Sequence, residues 1–166
     1  MKAKSFSVKV KEKIKPFNKI IKVDSDKSLS IRSFLIGSIC QNISTVTNVL
    51  ESEDVKSTIE ACKKLGVKIV KSSSGSYKIY GKGLGSLFAK KNTVINCFNS
   101  GTLSRLLLGI LSTTPNIEII MTGDSSLRKR SMKKLILLMS EFGATFLPKN
   151  KFNFPLKIIS TDMPIG

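Results

Sequence analysis

The sequence predicts an α/β (α+β) fold made of repeated helix–strand–helix–strand–strand units. Three observations predict it. Apolar residues recur at helical spacing in four stretches, with short β-prone runs between them. That order of elements occurs twice, with Arg32 echoed by Arg105 and the helix-ending Leu65-Gly66 echoed by Phe142-Gly143. Both copies also open alike. Lys27-Ser28-Leu29-Ser30-Ile31-Arg32 and Asn99-Ser100-Gly101-Thr102-Leu103-Ser104-Arg105 set small hydroxyl or amide residues directly before an apolar run. The two halves share a pattern more than letters, and neither could bury its sheet face and helix stripes alone.

Taken in order, Ile20 to Val23 is β-prone and ends at the turn Asp24-Ser25-Asp26. Ser28 or Ser30 then starts a helix to about Gln41, with Ile31, Phe34, Leu35 and Ile39 as its apolar face. Thr45 to Leu50 alternates as a strand would. Glu51-Ser52-Glu53-Asp54 opens a second helix with acids in its first turn, where the dipole favours them, and Gly66 closes it. Strands are expected over Val67–Val70 and Tyr77–Tyr80, followed by a loose Gly- and Lys-rich connection from Gly81 to Asn92. Thr93 to Cys97 leads into a helix over Gly101–Ser112, then a strand over Ile117–Met121 and the turn Thr122-Gly123-Asp124. A fourth helix from about Lys129 to Phe142 and strands over Ala144–Leu147 and Leu156–Ile159 complete the chain. The expected organisation is a leading segment 1–22, a first unit 23–97 and a second unit 98–166.

Composition excludes several classes of protein. A chain of 166 residues with 41% hydrophobic content can bury a core and is not of disordered type. The apolar run Leu106–Leu111, interrupted by Gly109, is too short to cross a bilayer, and the N-terminus lacks a secretory pattern. A cytoplasmic protein without a membrane partner is expected. Histidine is absent, which excludes Ser–His and Cys–His nucleophilic pairs within this chain and argues against zinc. Cys40, Cys62 and Cys97 form no C-x-x-C pair and are expected as buried reduced thiols. The net charge of +17 raises a nucleic-acid partner. Its make-up argues against one, because the lysines are scattered while the four arginines, Arg32, Arg105, Arg128 and Arg130, cluster in the notable segments.

Those segments carry the chemistry. A helix start offers free backbone N–H groups and the positive end of its dipole to an anion. Lys27, Ser28, Arg32, Asn99, Gly101, Thr102, Arg105 and Arg130 form a candidate anion-binding set, with Gly101 letting a ligand approach the backbone. In Thr122-Gly123-Asp124-Ser125-Ser126-Leu127-Arg128-Lys129-Arg130, cations precede the expected fourth helix, where the dipole opposes them, and this broken rule suggests a site. No pair among Asp24, Asp26, Glu51, Glu53, Asp54 and Asp124 is spaced for general acid–base work.

The same residues resemble a family. Asp26-Lys27-Ser28-Leu29-Ser30-Ile31-Arg32 is similar to the P-G-D-K-S-x-S-x-R segment of 5-enolpyruvylshikimate-3-phosphate synthases. Asn99-Ser100-Gly101-Thr102 with Arg105 resembles their G-N-S-G-T-x-x-R segment, and Thr122 to Arg130 resembles T-G-D-x-S-L-R-x-R-P. The resemblance covers roughly Ile20 to the end. It implies transfer of the enolpyruvyl group of phosphoenolpyruvate to the 5-hydroxyl of shikimate 3-phosphate, with release of phosphate and no metal or organic cofactor. By the same resemblance Lys27 is catalytic and contacts both substrates, and Ser28 and Arg32 hold shikimate 3-phosphate. Gly101 and Arg130 hold phosphoenolpyruvate, in a pocket shaped by Asn99 and Thr102.

The family's fold has two lobes of three α/β units each, so this chain is expected to be most of one lobe, monomeric, inactive alone and partnered by a missing second lobe. Departures from the pattern are Asp24-Ser25 for Pro-Gly, Ile31 for His or Asn, Phe98 for the Gly before the Asn, and Ser131 for the Pro after Arg130. Phe98 adds bulk beside the expected phosphoenolpyruvate pocket. Two other readings stay open: a basic nucleic-acid-binding module, and a relative of the UDP-N-acetylglucosamine enolpyruvyl transferases, whose first motif differs at the positions of Ser28 and Ser30.

Overall fold

A computed structural model describes residues 23–163, with isolated positions before them. Of the expected strand over Ile20–Val23, residues 21 and 22 lie outside the described residues. The elements run α1 (Lys27–Ile39), β1 (Ile43–Val46), α2 (Glu53–Lys64), β2 (Lys68–Ser73), β3 (Ser76–Tyr80), β4 (Thr93–Asn96), α3 (Gly101–Ser112), β5 (Glu118–Thr122), α4 (Ser125–Lys129), α5 (Lys133–Glu141), β6 (Thr145–Leu147) and β7 (Leu156–Ile159).

The repeat is visible in the sheets. β1, β3 and β2 form one antiparallel sheet in that order, and β5, β7 and β6 form the same antiparallel arrangement in the other. The second sheet carries one more strand, β4, parallel to β5. Between the sheets lies one continuous core. Ile31, Phe34 and Leu35 of α1 and Leu103, Leu107, Leu108 and Leu111 of α3 are buried in it with Ile79, Ile119 and Ile158 of the strands. Phe34 meets Tyr77 edge-on, with ring centroids 5.2 Å apart.

Several boundaries differ from expectation for physical reasons. Asp26, not a serine, caps α1: its carboxylate accepts from Leu29 N–H, and the helix begins at Lys27. Ser30 Oγ instead donates to the Asp26 carbonyl at 2.8 Å and accepts from Leu50 N–H at 3.1 Å, tying α1 to the loop after β1. β1 occupies Ile43–Val46 rather than Thr45–Leu50, because the chain turns at Asn48 with φ +56°. The helix expected from about Lys129 to Phe142 begins only at Lys133, and a short helix that was not expected, α4, precedes it. Arg130 takes an extended conformation as the C-cap of α4, and Met132 N–H is drawn to the Phe152 carbonyl at 2.7 Å. Arg128 and Lys129 therefore sit in the last turn of α4, where the dipole favours cations, and no rule is broken there. Cys62 and Cys97 are buried free thiols pushed up to about 11 and about 12 by desolvation, whereas Cys40 is only half-buried.

Glu51 stays outside α2 and organises the first unit. Its carboxylate accepts from Lys71 Nζ at 2.8 Å, Gly75 N–H at 2.9 Å and Tyr77 Oη at 2.8 Å, so the loop before α2 is fastened to the β2–β3 hairpin. These bonds, that of Lys71 foremost, hold its pKa near 2 against an ordinary 4.5. A depressed folded-state pKa means stability that is present above the unfolded value and lost as pH falls through the folded one. Thermal unfolding of the chain is therefore expected to fall between pH 4.5 and about 2 more steeply than that of Glu51→Gln, which lacks the titrating group. Parallel curves would contradict this.

Candidate active site

β4 and β5 are parallel, so their C-terminal ends deliver two loops to one side of the sheet, the place where open α/β sheets bind ligands. The loop after β4 leads into α3 and the loop after β5 leads into α4. Backbone bonds clamp the two together: Cys97 N–H donates to the Thr122 carbonyl at 2.9 Å, and Asp124 N–H to the Phe98 carbonyl at 2.8 Å. Phe98 is held at φ +47°, a left-handed conformation that suits glycine better, and its N–H is anchored on Asn96 Oδ1 at 2.9 Å. The ring itself is exposed.

The start of α1 reaches the same place from the first unit. Lys27, Asp54, Asn99, Gly101, Thr102, Arg105 and Arg130 line a cavity of about 610 Å³. Lys27 is the first residue of α1, while Gly101 and Thr102 begin α3, so two helix N-termini open onto one space. Ser100 caps α3, with Leu103 N–H donating to its Oγ at 3.3 Å.

Each cation of the cavity has its own acceptor. Lys27 Nζ lies 2.8 Å from Asp54 Oδ2. Arg130 Nη2 donates to Asn99 Oδ1 at 2.8 Å, and Arg105 Nη2 to the Ser131 carbonyl at 3.3 Å. Three cations against one carboxylate leave the space positive, and held cations bind an anion with less reorganisation than free ones.

Of the residues singled out in the sequence, Lys27, Asn99, Gly101, Thr102, Arg105 and Arg130 come together here. Ser28, half-buried, and Arg32, exposed, stand four positions apart on one face of α1, outside the lining of this cavity. Arg128 is also outside it, and its carbonyl accepts from Asn153 Nδ2 at 2.9 Å. The sequence reading missed the pairing of Asp54 with Lys27, because an acid in the first turn of a helix needs no partner to be explained. Among the described residues no group of three or more His, Cys, Asp and Glu side chains could hold a metal ion, and no helix is long and apolar enough to cross a membrane.

Gly101 matters for space. A Cβ added there would come within 2.9 Å of Arg130 Nη1, so an alanine must displace the guanidinium. Gly101→Ala is expected to leave the melting temperature unchanged or slightly raised, since alanine suits a helix better. Binding of a phosphate- or carboxylate-bearing anion in the cavity is expected to weaken roughly tenfold, about the worth of one charge-assisted hydrogen bond. Calorimetric titration beside thermal unfolding checks both halves.

Comparison with known proteins points to one family. The family profile described as EPSP synthase (3-phosphoshikimate 1-carboxyvinyltransferase) matches residues 11–164. The chain is 39% identical over 143 residues to the 3-phosphoshikimate 1-carboxyvinyltransferase of Desulforamulus reducens, covering 84% of this chain and 33% of that protein. It is 44% identical over 126 residues to that of Caldicellulosiruptor saccharolyticus, covering 76% of this chain and 28% of the relative. The solved EPSP synthase of Acinetobacter baumannii superposes with a TM-score of 0.79 at 35% identity, over 88% of this chain and 33% of that one. The chain thus spans about a third of the length of the relatives it matches. A family match over nearly the whole chain, together with the shared fold, establishes that the chain belongs to the EPSP synthase family.

Proposed function

We propose that this chain supplies part of the substrate site for transfer of the enolpyruvyl group of phosphoenolpyruvate to the 5-hydroxyl of shikimate 3-phosphate, with release of phosphate. The observation that carries this reading is the convergence of two helix N-termini and three restrained cations on one cavity. Phosphoenolpyruvate carries a phosphate and a carboxylate. Arg130, whose planar fork suits bidentate contact and which Asn99 Oδ1 restrains, binds it together with the N–H groups at Gly101 and Thr102. Lys27 reaches both substrates from the start of α1. Ser28 and Arg32, one helical turn apart, hold shikimate 3-phosphate on the neighbouring face of α1.

The chemical contribution is positional and electrostatic. Fixing two anions side by side removes the entropic cost of their encounter, and the cations stabilise the negative charge that grows on the departing phosphate. The lining offers a single carboxylate, already engaged by Lys27, so moving the hydroxyl proton and protonating the vinyl carbon fall to groups these residues do not supply. We place the protein in the cytoplasm, with units at 23–97 and 98–166 that act with the further polypeptide its relatives carry.

Calorimetric titration with shikimate 3-phosphate at physiological salt tests the reading. Heat of binding that is lost in Arg32→Ala and in Lys27→Ala, and unaffected by added duplex DNA, is expected. No heat from a well-folded chain, or DNA binding with a steep salt slope, would contradict it.

A further inference from the structure

We propose that Asp54 is a positioning residue for Lys27: its carboxylate holds the ammonium at the rim of the anion cavity so that two of its three N–H donors remain aimed at a ligand. The inference rests on the anion-binding reading of this cavity and goes beyond it by giving a task to the one group there that charge alone disfavours.

Asp54 is the single carboxylate among the lining residues, set against Lys27, Arg105 and Arg130. By Coulomb's law a negative charge in that place repels the ligand the site attracts. A benefit must offset this, and the geometry supplies one. Lys27 is half exposed, with a side-chain exposure of 49%, whereas that of Asp54 is 20%. A lysine with four rotatable bonds samples many positions in water. The carboxylate does not, because it sits on the first turn of α2, which packs against α1 and whose dipole favours it there. The backbone at Asp54 is bonded in turn, its carbonyl accepting from Thr58 Oγ1 at 2.9 Å. The 2.8 Å contact therefore transfers the rigidity of α2 to Nζ of Lys27.

The other two cations follow the same logic with neutral acceptors, Asn99 Oδ1 for Arg130 and the Ser131 carbonyl for Arg105. Guanidinium planes keep their donors in a fixed fork and need only light restraint; an ammonium on a flexible stem needs a stronger one. An ammonium has three donors, and one bond to Asp54 leaves two free. Restraining it beforehand lowers the ordering cost when the ligand arrives.

A cycle of variants tests this, with phosphoenolpyruvate and inorganic phosphate as separate probes, titrated calorimetrically into the folded chain. Asp54→Asn is expected to weaken binding roughly threefold to tenfold, the worth of ordering one long side chain. Asp54→Glu is expected to recover part of the loss. In the Lys27→Ala background Asp54→Asn is expected to cause no weakening, because the residue acts through Lys27. Asp54→Ser repeats the measurement should the amide variant fold poorly, and thermal unfolding is followed for each. Binding that is unchanged or tightened by Asp54→Asn would overturn the positioning role, as would equal weakening with and without Lys27. No binding by the folded unsubstituted chain would instead overturn the anion-cavity reading, and this inference with it.

Discussion

Replacing Arg130 with alanine is expected to weaken phosphoenolpyruvate binding roughly thirtyfold to a hundredfold, the equivalent of about 2 to 3 kcal/mol for charge-assisted bonds to one guanidinium. The melting temperature should barely move. Arg130 is exposed, and its one side-chain bond among the described residues is to Asn99, so the fold does not lean on it. Arg130→Lys is expected to recover little, since a point charge cannot reproduce the paired donors of the planar fork. Titration and thermal unfolding on the same samples separate the two effects. Equal losses of binding and of stability would show that Arg130 is structural.

Gly123→Ala is expected to do the reverse, with a large loss of stability and of binding together. Gly123 is buried at the end of β5, where a Cβ would lie 2.6 Å from the Phe98 carbonyl oxygen, 2.9 Å from Leu127 Cβ and closer still to Leu127 Cδ2. Leu127 is fully buried, so it cannot swing aside, and the Phe98 carbonyl is already bonded to Asp124 N–H. Overpacking of this kind costs about 3 kcal/mol. For a domain of this size that is roughly 6–12 °C in melting temperature. Because the strain falls on the clamp between the β4–α3 and β5–α4 loops, Asn99 and Arg130 should lose their alignment too. Gly101→Ala is the control, a glycine whose loss disturbs a flexible guanidinium instead of backbone.

Local signals account for what could be foreseen. α3 spans Gly101–Ser112 as expected because its start and stop are written in neighbouring residues, with Ser100 capping it and Thr113 to Asn116 interrupting it. The bringing together of Lys27 with Asn99, Gly101, Thr102, Arg105 and Arg130 was likewise foreseeable, since the repeat implies two helix starts facing one centre. What escaped were choices made by tertiary contacts. Met132, Leu135, Ile136 and Met139 keep helical spacing and no Pro or Gly lies between Leu127 and Met139, so nothing local announces that the chain is extended at Arg130. The bonds that break it, from Met132 N–H to the Phe152 carbonyl and from Asn153 Nδ2 to the Arg128 carbonyl, come from the β6–β7 connection. That break decides the site, because it turns Arg130 from a helical residue into an extended cap that can reach Asn99. The Lys27–Asp54 pair was hidden for a similar reason: each residue had a sufficient local explanation, and only the packing of α1 on α2 joins them.

The most direct test of the account is a residue-resolved amide titration of the folded chain with phosphoenolpyruvate. Saturable shifts centred on Lys27, Asn99, Gly101, Thr102 and Arg130, and suppressed in Arg130→Ala, are the predicted result. Shifts spread over the scattered surface lysines and abolished by moderate salt, or none at these five positions, would contradict it.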